Sequence, residues 1–109
     1  MPEKKKLTVL WTYEALKNAS SVKAYLSENF SSKEIQNFYS LLSAFENAVL
    51  LFPKLYPQTN KKAKIRRAVL SKEISVFYRI ISNQIEVLAV LDNRCDLSKW
   101  LWTKWKHHE

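Results

Sequence analysis

The chain contains no glycine. Phosphate loops and dinucleotide fingerprints both need glycine where the backbone approaches a phosphate, so nucleotide-dependent chemistry of those kinds is excluded. Any left-handed turn must be built on another residue type. The single cysteine, Cys95, rules out an internal disulfide and a cysteine-based zinc site, and it suits a reducing cytoplasm, where the protein is expected to reside. No base can be named beside it, so it is expected to be a spectator thiol. The two histidines, His107 and His108, both sit in the last residues of the sequence, where fraying is a better expectation than metal ligation. Neither a metal nor a cofactor is expected. Long apolar runs are missing too: each is interrupted well before the ~20 residues a membrane span requires. Residues 1–6 are basic like the start of a signal peptide, but 7–11 form too short an apolar core and no small-residue cleavage site follows. Neither secretion nor membrane insertion is expected.

What the chain does have is one domain's worth of core. At 109 residues it is long enough to bury a single core and too short to divide, so 1–109 is read as one domain. The net charge is +8 and unevenly spread: seven Lys/Arg stand against five Asp/Glu through Asn60, and eleven against five from Lys61 onward. An excess concentrated in one half points to a polyanionic partner, nucleic acid or an acidic protein segment; a merely solvated basic face is the plainer alternative.

Periodicity supplies the elements. Residues 7–11, Leu-Thr-Val-Leu-Trp, read as a short strand, and Thr12 can cap a helix with Glu14 in its first turn. Leu16, Ala19, Val22 and Leu26 then recur at helical spacing as far as about Asn29. Ser31 and Glu34 form a capping box for a second helix, whose stripe of Ile35, Phe38, Leu42, Phe45, Val49 and Phe52 is closed by Pro53. A loop runs to about Lys62. In 63–70, Ile65, Arg67 and Val69 alternate with Lys64, Arg66 and Ala68, a two-residue period that predicts a strand with a cationic face. After a turn at 71–73, strands are predicted at 74–81 and 85–91, joined by Ser82-Asn83-Gln84 with Asn83 as the left-handed residue. Residues 97–105 suit a short terminal helix with Leu97, Leu101 and Trp105 on one face and Trp102 off it. Tryptophans rimmed by lysines are common interface anchors; packing on the sheet is the alternative. The fold class is α+β: an N-terminal strand and a helical hairpin packed on a small antiparallel sheet, in the order β-α-α-β-β-β.

The remaining chemistry is cationic. Lys64, Arg66 and Arg67 lie on one predicted strand, Arg79 on the next and Arg94 after the last. Neighbouring strands are about 5 Å apart, so those sharing a face would converge into a patch able to bind phosphates or stabilise developing negative charge. Which of them share a face depends on strand register.

The segments "VLWTYEAL", "ENFSSKEIQNFYSLLSAFENAVLLFPKLYP", "KIRRAVLSKEISVFYRI" and "IEVLAVLDNRCDLSK" resemble, in order and spacing, the RelE/ParE superfamily of type II toxin-antitoxin toxins across residues 7–99. The most specific part is the Tyr-Arg-Ile strand followed by the apolar strand that ends in Asp92-Asn93-Arg94-x-Asp96. The resemblance implies a cognate antitoxin that wraps the basic surface in a hetero-oligomer. It also implies one of two activities. RelE-like members are mRNA interferases that cut messenger RNA in the ribosomal A site, where basic residues orient the phosphate while the ribose 2′-hydroxyl attacks; ParE-like members poison DNA gyrase. It places Arg94 and Arg66 at basic positions of the catalytic members, with Lys64, Arg67, Arg79, Trp100 and Trp102 as expected contacts to nucleic acid or antitoxin. On those two arginines a ribosome-dependent, metal-independent nuclease is the first expectation. Three positions depart from the catalytic pattern. Ser75 stands where a second arginine is usual, Ala68 replaces a basic residue, and Trp100, which cannot exchange a proton as tyrosine can, lies near a tyrosine position. A gyrase poison, an inactive antitoxin-binding module and a simple nucleic-acid-binding domain are therefore the competing readings.

Overall fold

Thr12 joins the first strand to the first helix and fixes both to the sheet. In the computed structural model, which describes residues 6–94, its hydroxyl accepts from the Ala15 amide at 3.2 Å and donates to the Val87 carbonyl at 2.8 Å. Its own amide donates to the same carbonyl. This N-cap opens α1 (Tyr13–Asn29), after β1 (Thr8–Trp11). There follow α2 (Ser32–Leu51), β2 (Gln58–Asn60), β3 (Ile65–Val69), β4 (Ile74–Ile81) and β5 (Gln84–Asp92). The expected terminal helix, with Trp100 and Trp102, lies outside the described residues.

The α+β architecture agrees with the expectation, with two additions. The loop before β3 contributes an edge strand, β2, whose three polar residues carry no apolar alternation to announce it. The sheet is also mixed rather than antiparallel: its order is β1-β5-β4-β3-β2, and β1 runs parallel to β5. A parallel neighbour needs a long crossover: the helical hairpin carries the chain from β1 at one edge to β2 at the other, and the meander β2–β5 brings it back beside β1. The apolar β4–β5 pair therefore occupies the middle of the sheet, with β4 the central strand.

One face of the sheet carries the helices. Ala15, Val22 and Leu26 of α1 and Phe38, Phe45 and Val49 of α2 close over Val76, Tyr78, Ile85, Val87 and Val90. Ala19, Val22 and Leu26 of the expected α1 stripe are buried, but at its start Leu16 is exposed and Ala15 takes the buried place. A small side chain there lets the helix backbone lie close to β5. Buried Asn18 completes the docking, since its Oδ1 accepts from the Val90 amide at 3.1 Å. Just before that amide β5 carries a bulge: Phe77 pairs with Ala89 and Tyr78 with Val87, leaving Leu88 as the extra residue. A bulge disrupts the ladder locally, and Asn18 provides an acceptor there, as a buried amide requires.

Two local expectations differ in detail. Ser31 is the N-cap of α2, but its side chain caps nothing and Glu34 does not reach back to it; Glu34 is drawn instead to Arg94. In the β4–β5 turn the left-handed residue is Ser82 (φ 54°), not Asn83. Positive φ at the first central position alone is the pattern of a II′ hairpin turn. Pro53 ends α2 as expected, though Phe52, the last member of the stripe, points outward.

Candidate functional site

The second face of the sheet carries no helix among the described residues. Its centre is a small apolar cluster of Ile65, Phe77 and Ala89, flanked by Ala63, Leu88 and Leu91. Strand register assigns the arginines to faces. Arg67 pairs with Phe77, and Arg79 lies two residues beyond Phe77, so both belong to this open face. Arg66 pairs with Tyr78 and belongs to the helix face.

Each of these three arginines has a defined partner. Arg67 is exposed; its Nε and Nη2 donate to the Ser75 hydroxyl at 3.3 and 3.2 Å, and its guanidinium lies 5.8 Å from the Phe77 ring centroid. Ser75 thus serves as the support of an arginine. Arg79 is ion-paired to its cross-strand neighbour Glu86 at 2.7 Å. Arg66 donates from Nη1 to the Tyr56 carbonyl at 2.7 Å and, at 3.4 Å, to that of Lys54. Lys64 is exposed in the β2–β3 turn and itself adopts positive φ (58°).

Arg94 is the most constrained. Its Nε and Nη2 donate to the two oxygens of Asp92 at 3.0 and 2.7 Å, Nη1 reaches Glu34 at 3.3 Å, and the Phe30 ring centroid lies 4.9 Å below the guanidinium. The bonds to Asp92 hold the guanidinium well above even its usual range, with Glu34 adding to the effect and partial burial opposing it. A fork-to-fork pair on a buried carboxylate, continued to Glu34 in the first turn of α2, clamps the end of β5 to the α1–α2 turn.

Arg66 and Arg94, the two residues expected to act together, are held at opposite ends of α2: Arg94 at Glu34 in its first turn, Arg66 at the loop that follows its last. Register agrees: Arg66 pairs with Tyr78, whereas Arg94 follows Asp92, which pairs with Ile74 on the other side of β4, so the two stand at different levels of the sheet on strands that are not neighbours. The pair that register does bring to one face is Arg67 and Arg79. The two-residue period in 63–70 put Arg67 opposite Arg66 in orientation, and only the pairing with β4 says which of them faces out. Glu34 and Phe30 as partners of Arg94 were not foreseen, because sixty residues separate them in sequence. The one available signal was Asp92, an acid at the end of a buried apolar strand and thus in need of a cation.

The Tyr78 phenol is pushed above its ordinary range by burial, against smaller opposing effects of the Tyr56 backbone and Arg66, and it faces the helices, donating to the Pro53 carbonyl at 2.8 Å. Among the described residues no three His, Cys, Asp or Glu side chains are grouped to hold a metal ion.

This architecture is one already seen in solved structures. A chain of the chromosomal ParDE TA system from P. aeruginosa superimposes with a TM-score of 0.67 at 10% identity, over 80% of this chain and 96% of that one. At that identity the likeness establishes the fold alone: the chain shares the fold of that ParDE chain. Two further structures align at lower scores: the DinJ-YafQ toxin-antitoxin complex of E. coli (TM-score 0.49, 14% identity, 83% of this chain and 96% of that one) and a copper-bound mutant toxin from Helicobacter pylori (0.43, 15%, 81% and 96%). No protein-family model and no curated protein sequence matches the chain.

Proposed function

We propose that the protein is the toxin component of a type II toxin-antitoxin system and that it acts by holding a macromolecular target, as gyrase-directed ParE-like members do, rather than by cleaving RNA. One observation carries the choice between the two activities: the arginines expected to serve catalysis are engaged by other groups of the fold and stand at different ends of α2. Arg94 is paired with Asp92 and Glu34, and Arg66 donates from Nη1 to two carbonyls beyond the other end of α2. Stabilising a phosphorane requires a cation poised to meet charge that develops in the transition state; one bound to a buried carboxylate has little left to offer it. What the open face presents is an exposed arginine over an aromatic ring within an apolar cluster, the composition of a protein interface centre.

A cognate antitoxin would cover that face in a hetero-oligomer in the cytoplasm. Among the described residues no helix is long and apolar enough to cross a membrane. The ribosome-dependent nuclease is the second reading, favoured by one feature: Arg67 and Phe77 side by side could grip a phosphate and stack a base. Two assays on one preparation, first shown to arrest growth when expressed without antitoxin, separate the readings. Supercoiling by purified DNA gyrase should be inhibited, and primer extension on a messenger in a purified translation system should show intact RNA. New ribosome-dependent cuts would overturn the proposal in favour of the nuclease. A folded protein that neither arrests growth nor inhibits gyrase would leave it an inactive binding module.

A further inference from the structure

Charged residues make up 26% of the chain, yet residues 35–51 of α2 contain one, Glu46, and its carboxylate accepts from the Trp11 indole at 2.9 Å. A surface helix ordinarily turns charged and polar residues to water opposite its apolar stripe, as α1 does with exposed Lys17, Lys23 and Glu28. The outer face of α2 instead presents exposed Tyr39, Ser40, Ser43, Ala44 and Asn47, which with Gln36 and half-buried Ile35 line an open groove along the helix. A helix face without charge, in a chain of net charge +8, is suited to being covered.

What the chain has to cover it with follows Arg94. The likeness to the ParDE chain spans 96% of that chain and 80% of this one, so about a fifth of this sequence is additional to the shared fold. Residues 95–109 carry three of the four tryptophans, and Leu97, Leu101 and Trp105 recur at steps of four, the spacing of one helical face.

Position and length agree. Arg94 is bonded to Glu34 and lies over the Phe30 ring, so the chain reaches residue 95 on the helix side of the sheet, beside the first turn of α2. The groove begins at the next residue of that helix, Ile35, and runs to Asn47, about 18 Å at helical rise. Two linking residues span at most about 7 Å, and a helix over 97–105 adds about 14 Å, so the segment can lie along the whole groove. The chemistry agrees as well. Ser40, Ser43 and Ala44 leave room for larger side chains, and Gln36, Ser40, Ser43 and Asn47 offer acceptors to an indole N–H, which bonds when buried. The open face of the sheet is the poorer match, because Lys99, Lys104 and Lys106 would meet exposed Arg67 there.

We propose that residues 97–105 dock as an amphipathic helix in the groove on the outer face of α2, with Leu97, Leu101 and Trp105 turned inward and the open face of the sheet left free. The segment then belongs to the protein's own covering, and a partner that takes α2 has first to displace it. The inference does not depend on the toxin reading.

The test uses the full chain, labelled with ¹³C and ¹⁵N. Nuclear Overhauser effects should link Leu97, Leu101 and Trp105 to Ile35, Tyr39 and Ala44, and they should persist in about 1 M salt, where charge attraction is screened within about 3 Å. Ala44→Glu, at an exposed helix position, should keep the wild-type circular dichroism spectrum, lose those effects and shift the indole emission to the red. Truncation after Asp96 should move the amide resonances of 35–47 and leave those of Phe77 and Leu91 in place. The proposal is overturned if the segment contacts Ile65, Leu88 or Leu91 on the open face, if it contacts Leu55 or Ile80 instead, if it contacts nothing in residues 6–94, or if Ala44→Glu leaves its contacts intact. It is also overturned if sedimentation shows a dimer that the truncation dissolves, which would put the segment in the groove of a second copy.

Discussion

Asp92 is a carboxylate with no side-chain exposure, tolerated because Arg94 meets it with two side-chain bonds and its backbone amide at 2.9 Å. Removing one partner of a buried pair leaves the other charge uncompensated, which typically costs more than the pair itself contributes. Arg94→Ala should therefore lower the unfolding free energy by about 3 kcal/mol, measured by urea denaturation. Asp92→Asn/Arg94→Ala should recover part of that loss, since the two changes share one interaction. A stability for Arg94→Ala equal to wild type would remove the clamp from the account. The same experiment disciplines any toxicity assay, because a variant that fails to arrest growth while unfolded says nothing about chemistry.

At the scale of elements, Thr12 connects three of them: β1 through its chain position, α1 through the Ala15 amide and β5 through the Val87 carbonyl. Losing an N-cap costs about 1–2 kcal/mol, and the buried carbonyl loses a donor besides. Thr12→Ala should thus be destabilised by about 2 kcal/mol in a thermal or urea titration, while Thr12→Ser, which keeps the hydroxyl, should lie close to wild type. Equal stability of the two would mean the hydroxyl contributes little. Both helices were legible because their faces repeat at helical spacing, and Pro53 marks the end of α2 in sequence as in structure. The Ser31–Glu34 capping box was not realised. A box consists of two local hydrogen bonds, and a guanidinium arriving from the end of β5 competes for the carboxylate that one of them needs.

For the whole molecule, the helices cover one face and leave Arg67 on the other. It is exposed and bonded to a serine hydroxyl and an aromatic ring rather than to a carboxylate, so Arg67→Glu should change stability by no more than about 0.5 kcal/mol. It should nevertheless abolish growth arrest or antitoxin capture if the open face is the working surface. Denaturation alongside a pull-down with the product of a neighbouring open reading frame checks both halves, and unchanged toxicity and capture would move the site elsewhere. The net charge of +8 should make whichever interaction survives sensitive to salt.

The sequence by itself determined the class of fold, the two helices, the three longer strands and the basic character of the second half, because periodicity and charge are local properties written residue by residue. The tertiary structure decided the rest. It alone showed that β1 lies parallel to β5, that β2 exists, that Arg66 turns inward while Arg67 turns out, and that Arg94 is tied to Glu34 across sixty residues. A strand's alternation specifies two faces but not which one the helices cover, and a one-residue slip in register exchanges them. An arginine's availability likewise depends on which carboxylates the fold brings within 3 Å of it, a fact that no stretch of sequence contains.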